Sequence, residues 1–250
     1  MSEESRIALL IDADNCPASK IAVMLDELAK HGVTSIRRAY GNWKSVGLRG
    51  WESVLHEYAI QPMQQFAYTK GKNATDAAMI IDAMDLLYTQ RLDTFCLASS
   101  DSDFTPLVMR IRANGLKVFG FGEKKTPMPF VNACSRFLYL ENLETVGEVE
   151  AEVEDGVEPG SAPRPARELR GDARLVSLLR NAVDACDEDD GWASLSAVGS
   201  HISNQTSFDP RNYGYRKLSE LIEATGLFET ERRGNHLFLR DRRAAHRRGG

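Results

Sequence analysis

Four aspartates and one asparagine carry the chemistry that this sequence allows. Asp12 and Asn15 follow a short apolar run, Asp76 opens a long helical pattern, and Asp101 and Asp103 follow a second apolar run. If both runs are neighbouring strands of one parallel sheet, their carboxylates converge at its edge, outside the carboxyl ends of the strands, where open α/β sheets take their ligands. Uncancelled negative charge there calls for a divalent cation. Hard carboxylate oxygens suit Mg²⁺ or Mn²⁺, ions that keep several waters and share the oxygens of a substrate phosphate. Asp12, Asp76, Asp101 and Asp103 are therefore the candidate metal ligands, and in-line hydrolysis of a phosphodiester is the chemistry such ions support. Asn15 is a supporting polar group, Lys70 and Lys72 are candidate phosphate contacts ahead of Asp76, and Ser99 and Ser100 are candidates to orient the same shell. The plain alternative is that residues such as Asn15, Thr75 and Ser102 cap helices, a common duty at strand-to-helix junctions.

The elements that must position these groups are legible as alternating apolar and amphipathic stretches over residues 6–141, the pattern of crossover units around a parallel sheet. Strands are expected at Arg6–Asp12, Thr34–Tyr40, Ile60–Phe66, Thr94–Ser99, Leu116–Phe121 and Phe137–Leu140. Pro17, Gly32, Asn114-Gly115 and Pro127 supply helix start and stop signals. A strand order of 3-2-1-4-5 would make the first and fourth strands neighbours and set Asp12 beside Asp101 at the reversal point. The expected architecture is a three-layer α/β sandwich with a mostly parallel sheet, occupying residues 1–143. Residues 144–168 read as an acidic, Pro- and Gly-containing linker. Residues 169–241 read as three helices followed by a strand pair turning at Gly234-Asn235, the elements of a small winged helix, and 242–250 as a basic tail.

Composition narrows the classes. Of the 250 residues 42% are hydrophobic and 27% charged, the balance of an ordinary globular protein. No stretch reaches the roughly 18 to 20 apolar residues of a membrane span, and the opening MSEESR is too acidic for a secretory signal, so the expected address is cytoplasmic with no membrane partner. Cys16, Cys96, Cys134 and Cys186 are scattered without C-x-x-C spacing, which argues for reduced thiols. A net charge of -5 means that nucleic acid must be held through local basic patches or bound metal. One such patch lies after the second strand, where Trp43, Lys44, Arg49 and Trp51 form a basic-aromatic candidate surface for single-stranded RNA. Within it burial is expected for Trp51 and exposure for Trp43.

The blocks IDADN (Ile11–Asn15), KGKNATDAAMIIDAMDLLY (Lys70–Tyr88) and LASSDSDFTPLV (Leu97–Val108) together resemble the NYN family of PIN-like nucleases, in particular its LabA-like branch. The resemblance implies a PIN-like Rossmannoid fold and a metal-dependent ribonuclease whose active carboxylates fall on Asp12, Asp76, Asp101 and Asp103, with Asn15 in support. Thr75 and Ser100 depart from it, standing where members often have valine and glycine. The blocks DGWASLSAVGSHI (Asp190–Ile202) and FDPRNYGYRKLSELIEATGLFE (Phe208–Glu229) are similar to a LOTUS (OST-HTH) domain. That resemblance implies RNA binding, or a protein partner, with Arg211, Tyr213, Tyr215, Arg216 and Lys217 as candidate contacts; for Tyr215 packing is the favoured role.

Three functions follow from these readings. The leading one is an endoribonuclease with a tethered RNA- or partner-binding module. The second is a non-catalytic RNA-binding scaffold whose acidic pocket holds metal weakly. The third is an aspartyl phosphatase with Asp12 as nucleophile and Asp14 as its pair, a pattern that expects Thr or Val where Cys16 stands.

Overall fold

The structure is a computed structural model that describes residues 4–64, 74–143, 163–188 and 191–243. It divides into two compact units, Met1–Gly156 and Val157–Gly250.

The first unit is built on six strands, β1 (Arg6–Asp12), β2 (Val33–Gly41), β3 (Gln61–Gln64), β4 (Thr94–Ala98), β5 (Lys117–Gly122) and β6 (Arg136–Tyr139). They pair in the order β3-β2-β1-β4-β5-β6, with every pairing parallel. The order reverses between β1 and β4, as the sequence predicts. β1 is apolar along almost its whole length because a parallel sheet is covered on both faces. Its side chains alternate between two cores. Ile7, Leu9 and Ile11 pack with α1 (Ile21–Ala29) and α2 (Trp51–Glu57), while Ala8 and Leu10 pack with α3 (Ala74–Thr89), α4 (Thr105–Ala113) and α5 (Met128–Ala133). Each fully buried Leu or Ile in these layers contributes about 1.5–3 kcal/mol. The stiff sheet between them fixes what stands at its edge.

The second unit contains α6 (Ala166–Gly171), α7 (Ala173–Ala185), β7 (Asp187–Glu188), β8 (Trp192–Ser194), α8 (Leu195–Gln205), α9 (Leu218–Thr225), β9 (Phe228–Arg233) and β10 (His236–Asp241). Its antiparallel sheet has the order β7-β8-β10-β9. The expected hairpin is β9–β10, turning at Gly234 with a left-handed φ of 62°. Three elements differ from expectation: α6 begins at Ala166, ahead of residue 169, and β7 and β8 extend the wing. Strands as short as these cannot write an alternating pattern into the sequence. Leu175, Leu179, Val198, Ile202, Leu221, Ile222 and Leu239 form the core of this unit.

Candidate active site

The acidic edge is assembled from the β1–β4 register. Ile11 pairs with Ala98, so the next residues, Asp12 and Ser99, stand side by side at the carboxyl ends of their strands. Ser99 is buried, and its Oγ donates to Asp12 Oδ2 at 2.7 Å while accepting from the backbone N–H of Asp101 at 3.1 Å. Asp101 Oδ1 in turn accepts from the N–H of Asp103 at 2.8 Å. One hydroxyl thus couples the aspartate of β1 to the loop after β4. Gly122 at the end of β5 allows that packing, because a Cβ there would come within 2.7 Å of the Ser99 carbonyl oxygen.

Asp12 is 1% exposed, and its Oδ2 accepts from Asn15 Nδ2 at 2.8 Å as well as from Ser99. Its Oδ1 is buried with no hydrogen-bond partner among the described residues. Burial pushes the Asp12 carboxyl above its usual range, against the lowering effect of the Asn15 and Ser99 hydrogen bonds, and neighbouring Asp14 adds to the rise. Asp76, in the first turn of α3, feels the same crowding. Desolvation, followed by the charges of Asp12, Asp101, Asp103 and Asp14, pushes its carboxyl up to about 6. The carboxylates of β1, α3 and the loop after β4 therefore share one electrostatic neighbourhood.

They do not close into a ready-made cage. Among the described residues no three His, Cys, Asp or Glu side chains are grouped as metal ligands. Asp12 Oδ2 and Asp101 Oδ1 are already occupied by protein donors. The set nevertheless fits a hard divalent ion, which binds directly through one or two carboxylates and keeps its remaining ligands as water or substrate oxygen. The orphaned Asp12 Oδ1 and the crowded Asp76 are the groups that such a charge would relieve.

The remaining predicted residues fall in several places. Ser99 is a buried positioning group rather than a surface contact, and Ser100 Oγ accepts from the Glu123 N–H at 2.9 Å, which pins the loop after β5. Asp101, not Ser102, caps the short helical turn Ser102–Phe104. Thr75 donates to Asp14 Oδ2 at 3.4 Å, tying α3 to the loop after β1. Trp51 is buried, but Trp43 is half-buried and packs edge-on against it with ring centroids 6.3 Å apart, a correction to its expected exposure that follows from the apolar groove beside β3. Lys44 is exposed, and Lys70 and Lys72 lie outside the described residues. In the second unit Arg211 is committed to the buried Asp209, with Nε and Nη2 each 3.0 Å from a carboxylate oxygen. Arg216 and Lys217 are exposed beside α9, and Tyr215 donates its hydroxyl to the Arg164 carbonyl at 2.7 Å, in line with a packing role. Sequence reasoning passed over Glu123, which follows β5 on the same sheet edge and lines a groove of about 530 Å³ with Asn15 and Lys125. Its position after the fifth strand was the available signal.

A parallel α/β sandwich with acidic residues over its reversal point, joined to a winged-helix-like unit, defines the class to which this chain's sequence also points. Residues 6–141 match the NYN domain and residues 170–238 match the OST-HTH/LOTUS domain. The chain belongs to the NYN domain family, within the PIN-like nuclease superfamily, and carries a LOTUS domain after it. It is similar to the uncharacterized protein MJ0482 of Methanocaldococcus jannaschii, 27% identical over 129 residues that cover 48% of each chain. The chain thus spans about half the length of that curated relative. Among solved structures it is similar to a protein of unknown function, VPA0982, from Vibrio parahaemolyticus, with a TM-score of 0.46, 19% identity and coverage of 56% of this chain and 94% of that one. Among the described residues no helix is long and apolar enough to cross a membrane.

Proposed function

We propose that this protein is a metal-dependent endoribonuclease that hydrolyses RNA phosphodiester bonds at the edge formed by β1, β4 and α3, with the LOTUS unit supplying RNA affinity. The observation that carries the reading is Asp12: a buried carboxylate with one oxygen held by Asn15 and Ser99 and the other without a donor among the described residues. An unpaired buried charge is costly, and it persists where a ligand is expected to complete it. Asp12 and Asp76 are the groups proposed to hold Mg²⁺ or Mn²⁺ directly, with Asp101 and Asp103 acting directly or through bound water. When bound, such an ion lowers the pKa of an attacking water and offsets charge on the departing oxygen.

The protein's own residues do the positioning. Asn15 and Ser99 fix the carboxylate plane of Asp12, and Ser99 holds Asp101 in register with it. The crowding of carboxylates keeps an RNA phosphate out of the edge until positive charge has entered it. The groove lined by Asn15, Glu123 and Lys125 leads the strand away from that point.

Cleavage of single-stranded and structured RNA, with Mn²⁺, with Mg²⁺ and with chelator, tests the proposal. Metal-dependent cleavage by the unaltered protein, reduced at least ~100-fold in both Asp12→Asn and Asp101→Asn, supports it. Equal cleavage by all three proteins assigns the activity to a contaminant and overturns it, as does absence of cleavage under every metal.

A further inference from the structure

A second cavity of about 710 Å³ opens beside the edge strand β3 and α2, within the range of small-ligand pockets. We infer that it is a guanine-binding subsite that takes one base of the RNA strand next to the acidic edge. The inference rests on the ribonuclease reading for the source of the base, and on the pocket alone for its identity.

The placement comes from the two cavities. Leu48 lines both this pocket and the groove that contains Asn15, whose side chain is bonded to Asp12, so the pocket lies one side chain beyond the acidic groove. A strand whose phosphate reaches the edge therefore passes Leu48 on its way along β3.

Trp43 supplies the stacking face. Its backbone N–H donates to Gln64 Oε1 at 3.1 Å, Gln64 Nε2 donates to Asn42 Oδ1 at 3.1 Å, and its ring rests on the buried Trp51 at 73°. The indole is held before any ligand arrives, and among the described residues its Nε1 is buried without a hydrogen-bond partner. Base–aromatic stacking on such a fixed ring tolerates any base, so the discrimination must come from polar groups.

Arg49, Glu52 and His56 supply them. All three are exposed, line the cavity and recur along one face of α2 and the residues before it. Among the described residues their side chains make no hydrogen bond or ion pair with protein, in contrast to Lys125, which is paired with Glu123 at 2.5 Å. A carboxylate accepts two parallel N–H groups, and guanine alone among the four RNA bases presents two such donors side by side, N1–H and the 2-amino group. Its opposite edge, O6 and N7, accepts from Arg or His. Adenine and cytosine each pair their amino group with an acceptor, and uracil has a single N–H between two carbonyls. Glu52 together with Arg49 therefore selects guanine.

Equilibrium dialysis of the full chain in chelator, against the 5′-monophosphates of guanosine, inosine, adenosine, cytidine and uridine, tests this. Guanosine monophosphate is expected to be retained at least tenfold more tightly than the adenosine, cytidine and uridine forms. Inosine monophosphate, lacking the 2-amino group, is expected to fall about tenfold below guanosine. Glu52→Gln removes the preference; as the side chain is exposed, this variant keeps the fold, which an unchanged melting curve verifies. Trp43→Ala, checked the same way, weakens retention of all five. Equal retention of the nucleotides, or unaltered retention by Glu52→Gln, overturns the inference. Guanosine monophosphate bound at Trp43 without RNA cleavage under any metal would sink the ribonuclease proposal and leave the guanine pocket standing. Metal-dependent cleavage with no guanosine enrichment near the cut and no nucleotide preference would do the reverse.

Discussion

Asp76 is the residue whose titration reports on the acidic edge without any substrate. Its folded carboxyl titrates at about 6 against the usual 3.8, so between those values the folded state holds a proton that the unfolded chain has lost. The sign follows for this one group: in the metal-free protein its contribution is most favourable at or below about pH 4, is lost as pH rises towards about 6, and is a full penalty above it. Displacing a proton equilibrium by one pH unit is worth about 1.36 kcal/mol, and solvent screening of this half-buried group reduces the whole contribution to about 1 kcal/mol. In chelator at about pH 7.5, Asp76→Asn is expected to raise Tm by about 2–4 °C and to flatten its decline between about pH 4 and 6, measured by scanning calorimetry. Unchanged Tm in that variant would mean that neither burial nor the neighbouring carboxylates penalise the Asp76 charge. Arg211 makes a different case. Because its guanidinium pairs with the buried Asp209, Arg211→Ala is expected to cost about 3–5 kcal/mol of stability in the second unit, seen in urea denaturation.

At the level of elements, α3 is the part that needs the most explanation, since it carries Asp76 from one face of the sheet to its edge. Asp82, further along the helix, pairs with Arg38 and accepts from the hydroxyl of the buried Tyr40, both on β2. This cluster clamps α3 against β2. Asp82→Ala leaves the buried Tyr40 hydroxyl without its acceptor and is expected to cost about 2–3 kcal/mol, lowering Tm by several degrees and metal-dependent cleavage along with it, through displacement of Asp76. Loss of stability with full activity would show that α3 is positioned by its apolar face alone. The same scale shows what was legible in the sequence. β1, β4 and the order β3-β2-β1-β4-β5 could be read because a doubly covered parallel strand is a continuous apolar run. The proximity of Asp12 to Asp101 followed from that order. What could not be read was anything decided by side-chain choice across a gap in sequence: Ser99 turned inward as a bridge, Arg211 turned onto Asp209, and Trp43 folded down onto Trp51. The two-residue β7 left no period to detect. Lys70 and Lys72, expected to touch phosphate, lie outside the described residues.

For the whole molecule, a net charge of -5 and an acidic edge are poor attractants for RNA, so affinity must be concentrated in local patches. Arg216 and Lys217, exposed ahead of α9, are the cations of the LOTUS unit proposed for that task. Their backbone N–H groups both donate to the Glu220 carboxylate at 3.1 Å, which holds the segment in place. The double variant Arg216→Ala, Lys217→Ala is expected to weaken binding of single-stranded RNA and to reduce the slope of log affinity against log salt by about 1.4, two contacts at about 0.7 each. An unchanged slope in fluorescence anisotropy titrations would assign RNA binding to another surface. Uptake of a divalent cation by the acidic edge underlies every catalytic step proposed, and anomalous scattering from crystals of the full chain soaked in Mn²⁺ tests it most directly. The expected result is a manganese peak in contact with Asp12 Oδ1 that is absent from Asp12→Asn crystals; a fully soaked crystal with no peak at Asp12, or with manganese only at remote surface carboxylates, would contradict it.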